Sequence, residues 1–300
     1  MTTIAILLVL ISGVSHTGWN FIGKNASNTI KSFFWALVFY GFIYLIPYLF
    51  MTDKVHLIKY MIIPGILSAF FNAVMFWCLQ VAYRKGDLSY VYPLKNALPI
   101  VYTTIFAIII GNFAQITPKA FIGFFCIVIG CFILPLKALK NFNVKNYFGV
   151  SALFAALAAL GTAGYSVVDS NIMNNVASID PACSKLQIAV LYTPVQAFLT
   201  ALLIWPFMFV DRKFFNIDFK KEKINYPLAA LMGFLIGGGY ILVLTAYALA
   251  EHVSYIVAFR QIGMPLSVLA GILFLKEKPY FGKIVGGLII IIGLVLTALK

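Results

Sequence analysis

Acidic residues are what this chain has least of: nine Asp and Glu stand among 300 positions, against 22 Lys and Arg, and charged residues together make up 10%. A soluble domain carries roughly 25%, so an ordinary water-facing surface is excluded. Paired carboxylates inside apolar runs do not occur, nor does an H-E-x-x-H or a G-x-S-x-G stretch. A membrane hydrolase relies on such groups, because it must set a nucleophile beside a base or hold a metal. A glycine-rich phosphate loop is missing too, which argues against an ATP-driven pump. Of the four cysteines, Cys78, Cys126 and Cys131 lie within apolar runs, and neither a disulfide framework nor a metal-ligand spacing is visible. No cofactor is implied. The formal charge of +13 sits mostly in short connections rather than in a basic stripe, which argues against nucleic acid as a partner.

What the chain has in quantity is apolar length, with 62% hydrophobic residues. A bilayer span needs roughly 20 such residues. Ten stretches qualify: about 3 to 23, 32 to 51, 58 to 82, 89 to 110, 119 to 136, 147 to 170, 186 to 209, 226 to 249, 253 to 274 and 280 to 299. The expected fold is all-α and polytopic, with ten transmembrane helices in a lipid bilayer. Connections are short apart from Asp211 to Asn225, so chemistry belongs in the bilayer or at its faces. The first stretch has no Lys or Arg before it and no small-residue cleavage site, so it reads as a span and not as a leader. Fifteen of the 22 cations fall in the loops after odd-numbered spans. The positive-inside rule puts those loops in the cytoplasm and both termini outside.

The chain also repeats itself. AYRKGDLSYVYPLKNALP (Ala82 to Pro99) recurs in part as AYALAEHVSYIVAFRQIGMP (Ala246 to Pro265). At an offset of 165, Lys95 falls on Arg260 and Asn96 on Gln261. Each half therefore sets a cation and an amide inside an apolar run, where an ionisable side chain costs about 2.5 to 3.5 kcal/mol on insertion scales. Gly18, Trp19 and Asn20 align with Gly164, Tyr165 and Ser166 at offset 146, and Gly123 and Gly130 with Gly286 and Gly293 at offset 163. Two units of five spans, 1–140 and 141–300, must cross in opposite senses because five is odd. That is an inverted repeat, and secondary transporters built this way bind substrate near the midplane where the halves meet.

Four segments, in this order and spacing, resemble the EamA type of the drug/metabolite transporter superfamily. They are SHTGWNFIGKNAS (Ser15 to Ser27), AYRKGDLSYVYPL (Ala82 to Leu94), TAGYSVVDSN (Thr162 to Asn171) and AFRQIGMPLSVLAGILFLKEK (Ala258 to Lys278). The resemblance covers nearly the whole chain. It implies a ten-helix carrier of the cell membrane that hydrolyses no ATP, is proton-coupled or proton-independent, and commonly exports amino acids or related metabolites. A membrane enzyme or a non-transporting scaffold is the rival class.

The candidate substrate-binding residues start from the two cations. Counted from Ser89 and from Val253, Lys95 and Arg260 lie about 9 Å into their spans at ~1.5 Å per residue. Either they bind an anionic group, Arg260 through two parallel bonds and Lys95 as a point charge, or each stretches to the nearer interface. Asp169 is the acid well inside an apolar run, near the expected end of the sixth span. It can neutralise a cation, accept a substrate ammonium, carry a coupling proton, or sit at the interface. One acid and two bases around a cavity suit a zwitterion such as an amino acid. An organic phosphate or phosphonate is favoured if both cations stand clear of Asp169. His16, Asn20 and Lys24 fall on one i, i+4 line with Trp19 beside it, a polar stripe that should face a bundle interior. Asn96, Gln261, Tyr165, Tyr92, Trp77 and Tyr240 complete the set, with Asn72 as a further neighbour, and Trp19 and Tyr165 offer aromatic surfaces. Gly282 and Gly286 allow close helix approach and are also a candidate seat for a homodimer.

Overall fold

The computed structural model describes residues 2–25, 30–86, 88–111, 113–137, 148–215, 223–274 and 278–299, with side chains at all of these except 20–25, 52, 88–90, 113, 214–215, 267, 270–271 and 274. Among them the regular structure is entirely helical: α1 (Thr3–Asn25), α2 (Ile30–Leu49), α3 (Lys59–Lys85), α4 (Leu88–Ile110), α5 (Pro118–Ile133), α6 (Val150–Ile179), α7 (Lys185–Phe215), α8 (Tyr226–Tyr247), α9 (Val253–Phe259), α10 (Gly263–Phe274) and α11 (Phe281–Ala298). Seven of these helices are long and apolar enough to cross a membrane, and Thr3–Trp19 and Pro118–Ile133 form shorter apolar helices. The expected boundary between the two halves, at 140/141, lies outside the described residues.

Large apolar side chains are exposed here as well as buried, unlike those of a water-soluble protein. Ile63, Ile109, Phe148 and Leu273 are each at least 70% exposed, while Ser68, Thr103, Asp169, Thr193 and Asp211 are fully buried. An apolar surface this extensive suits lipid, not water. In lipid, helices associate through close packing and hydrogen bonds, not through the hydrophobic effect. Local chemistry starts several of them. The Thr117 hydroxyl accepts from the Ala120 N–H, with Pro118 opening α5, and Asn225 accepts from the Leu228 N–H, with Pro227 in the first turn of α8. His252 caps α9 by accepting from the Ser254 N–H at 3.2 Å. Burial lowers the pKa of this imidazole, which keeps it a neutral acceptor.

Two expectations about length are corrected. α6 runs to Ile179 instead of ending near 170, and α7 runs to Phe215, into the stretch expected as a loop. A third correction concerns the expected ninth span, 253 to 274, which is interrupted. α9 ends at Phe259, a 3-10 turn takes Arg260–Ile262, and α10 begins at Gly263. Pro265 has no N–H to give to residue 261, which removes one α-helical bond at this turn, although α4 and α7 each run through two prolines.

The helices pair in a regular pattern. α3 lies along α6 and α1 along α8; α4 packs on α6, and α9 and α10 pack on α1; α2 meets α7 and α8, α7 meets α3, and α5 meets α11. Missing side chains make the closest of these approaches. A Cβ on Gly161 would come within 2.6 Å of the Phe71 carbonyl oxygen, and one on Gly164 within 2.6 Å of the Phe71 ring. A Cβ on Gly123 would come within 2.6 Å of the Gly293 oxygen, and one on Gly130 within 2.8 Å of the Gly286 oxygen. Gly282 and Gly286 both face Leu134 at the end of α5, so the surface expected to seat a dimer is filled from within the chain.

Candidate functional site

Helices from both halves converge on a cavity of about 100 Å³. α4 brings Lys95 and Asn96, the α9–α10 break brings Arg260 and Gln261, α1 brings His16 and Trp19, α6 brings Tyr165 and α8 brings Tyr240. Eight of the expected residues, with Asn72 beside them, thus meet at one place. The two amides behave alike: Asn96 donates to the Tyr92 carbonyl at 3.0 Å, and Gln261 to the Val257 carbonyl at 3.1 Å. Each ties back one turn along its own helix.

The cations are held lightly. Arg260 donates from one terminal nitrogen to the Tyr165 hydroxyl at 3.2 Å, with its guanidinium carbon 5.9 Å from the centre of that ring. Lys95 reaches the amide oxygen of adjacent Asn96 at 3.4 Å, at the long end of hydrogen-bond geometry. On α1, the Trp19 indole donates to His16 Nδ1 at 3.2 Å and the rings stand edge to face, 4.9 Å between centres. The polar pair is therefore one turn apart at 16 and 19. The side chains of Asn20 and Lys24, expected on the same stripe, lie outside the described residues.

Three expectations change. Asp169 does not sit at an interface, because α6 continues ten residues beyond it to Ile179, and its carboxylate is fully buried. It also does not line the cavity. Tyr192 donates to it at 2.7 Å, the Gln196 amide at 2.9 Å, and the Tyr240 hydroxyl as well. Among the described residues it pairs with neither Lys95 nor Arg260; Tyr240 and Gln196 stand between it and the cavity they line. Trp77 is turned away: its indole donates at 2.9 Å to Asp211 and stacks on Phe207, 5.0 Å between ring centres. A buried indole N–H needs an acceptor, and the acceptor here is a carboxylate at the far end of α7. Tyr92 packs its ring against the hydrophobic interior, and its carbonyl accepts from Asn96.

Sequence reasoning did not pick out Tyr40, Gln196, Ser12 or Thr162, which also line the cavity. A glutamine amid LYTPVQAFLT was the readable signal, since a buried amide in an apolar run needs partners. Away from the cavity, Arg84 grips Asp211 with both terminal nitrogens at 2.9 Å, joining the ends of α3 and α7. Lys54 bonds Asp180 at 2.9 Å beyond the end of α6, and this bond holds the Asp180 carboxyl below its usual pKa. No protein-family model and no curated protein matches the chain.

Proposed function

We propose that the chain is a secondary transporter of the EamA type, which moves a small polar metabolite across the cell membrane by alternating access. Its ten spans would form two inverted five-helix units, with the broken α9–α10 as the ninth. One observation carries the proposal: Lys95 and Arg260, equivalent in the repeat, reach the same cavity from opposite halves. Two unrelated snorkelling side chains would each follow the nearer interface.

The packing supports the repeat. Exchanging α1 with α6, α2 with α7, α3 with α8, α4 with α9–α10 and α5 with α11 turns the most extensive packed pairs into one another. It takes α3–α6 into α8–α1, α4–α6 into α9–α10 on α1, and α2–α8 into α7–α3, while the smaller contacts of α6 with α7, α8 and α9 have no counterpart of that size at α1. The exchange holds for single residues. Gly161 sits on Met75 as Ser15 sits on Gly239, and Gly164 sits on Phe71 as Gly18 sits on Leu235. In the α5–α11 pair, Gly123 meets Gly293 and Gly130 meets Gly286. Self-complementary pairing of this kind is what a two-fold axis produces, and an axis in the membrane plane relates the halves of many transporters.

The same pairing suggests the motion. α3, α4 and α6 form one bundle, and α1, α8, α9 and α10 form another, with the cavity between them. Rocking of one bundle against the other would open the cavity to each side in turn, with no ATP hydrolysis and no covalent chemistry. Tyr240 and Gln196, which line the cavity and donate to Asp169, would link a coupling proton to it. Outward movement is the direction that the family resemblance implies.

The test is flux. Purified protein in liposomes should move at least one labelled amino acid, carboxylate or organic phosphate saturably, about tenfold or more above protein-free liposomes. Arg260→Ala should remove about tenfold of that rate, equivalent to about 1.4 kcal/mol. Flux equal to the protein-free control for every solute, or an Arg260→Ala variant as fast as the parent, overturns the proposal.

A further inference from the structure

The charge around the cavity is one-sided, and this deepens the transport reading above, on which it rests. Lys95 and Arg260 line the cavity, and no acidic side chain does so among the described residues. Asp169, the acid that could have offset them, stands behind the wall, where it accepts from Tyr192, Gln196 and Tyr240 and acts on Arg260 only across that layer of uncharged donors. The partners of the cations, Tyr165 and Asn96, are uncharged too. Two like charges facing one enclosed space repel, because little water screens them. The wall is therefore made for negative charge, and for more than one.

Three kinds of solute meet this wall differently. The carboxylate of a zwitterion finds cations, but its ammonium finds only neutral acceptors such as the Asn72 and Gln196 amides, and is repelled by both cations. A monoanion leaves one cation unmatched. Two negative charges on a short frame match both, Arg260 through two parallel bonds and Lys95 through a single charged bond. The cavity, at about 100 Å³, is small beside the roughly 300–1,000 Å³ of sites for drug-sized ligands. We infer that the substrate is a compact organic dianion, a dicarboxylate or a phosphoryl compound, clasped between Lys95 and Arg260.

The test is binding, measured by the melting curve of the purified chain in detergent at neutral pH. The probes are succinate and methyl phosphate as dianions, lactate as a monoanion and alanine as a zwitterion. At least one dianion should bind about tenfold or more tightly than lactate or alanine, a difference of about 1.4 kcal/mol; whether it is succinate or methyl phosphate assigns the headgroup. Lys95→Gln and Arg260→Gln should each weaken that dianion about tenfold or more. Lys95→Glu gives the wall one charge of each sign and should shift preference towards alanine, a gain that a misfolded variant cannot produce. The inference fails if neither dianion moves the melting curve, if alanine binds the parent more tightly than both dianions, or if both Gln variants bind dianion as the parent does. Dianion binding without flux in liposomes would leave this assignment standing and sink the transport reading. Flux of alanine alone would do the reverse.

Discussion

A carboxylate without a charged partner can remain inside a helix bundle only if donors surround it, and Asp169 accepts from Tyr192, Gln196 and Tyr240 with Ser68 beside it. Those donors depend on it in turn, since Tyr192 and Gln196 are themselves buried. Asp169→Ala should strand them at a cost of about 1–3 kcal/mol for each donor left unmatched. Tyr192→Phe removes a single bond and leaves the other donors to Asp169 in place, so its cost should be the smaller. Thermal unfolding of the purified variants checks the order; Asp169→Ala melting with the parent would contradict it. Sequence alone exposed Lys95, Arg260 and Asp169, because a charge in an apolar run is costly and conspicuous. It did not expose their partners. Asp169 bonds residues 23, 27 and 71 positions away, and Trp77 bonds Asp211 across 134 positions, so only the fold decides which polar groups meet.

Among the helices, apolar length made the elements legible and their ends less so. α6 continues through NIMNNVASI because a helix need not stop where its composition turns polar. The break at Arg260–Ile262 was hidden because the apolar run around it is continuous, although Pro265 was in view. Small residues at fixed spacing were visible, and the structure supplies what they face. A Cβ on Gly130 would lie 2.6 Å from Ile290 and 2.8 Å from the Gly286 oxygen, whereas one on Gly287 meets nothing within 4 Å. Gly130→Ala should therefore force α5 and α11 apart and cost about 1–3 kcal/mol. Gly287→Ala on the same helix pair should be neutral, or stabilising by up to about 1 kcal/mol through the unfolded chain. Melting temperatures of the two variants decide this. Equal losses would show that the glycine-lined crossing of α5 and α11 is not tight.

Across the whole molecule, everything proposed depends on two bundles enclosing a cavity that opens to one side and then to the other. Similarity between the two halves was readable as sequence, but the packing of α3 on α6 and of α1 on α8 was not, since such similarity does not say which helix packs on which. Access to the cavity tests the central claim most directly, and it requires no knowledge of the substrate. Ser12 on α1 and Thr162 on α6 line the cavity from opposite bundles. Ser12→Cys and Thr162→Cys, one at a time in sealed oriented vesicles, can be exposed to a membrane-impermeant thiol reagent from either face, with the parent as control for its four cysteines. The expected result is labelling of each variant from both faces. Labelling from one face alone, or from neither, would contradict alternating access.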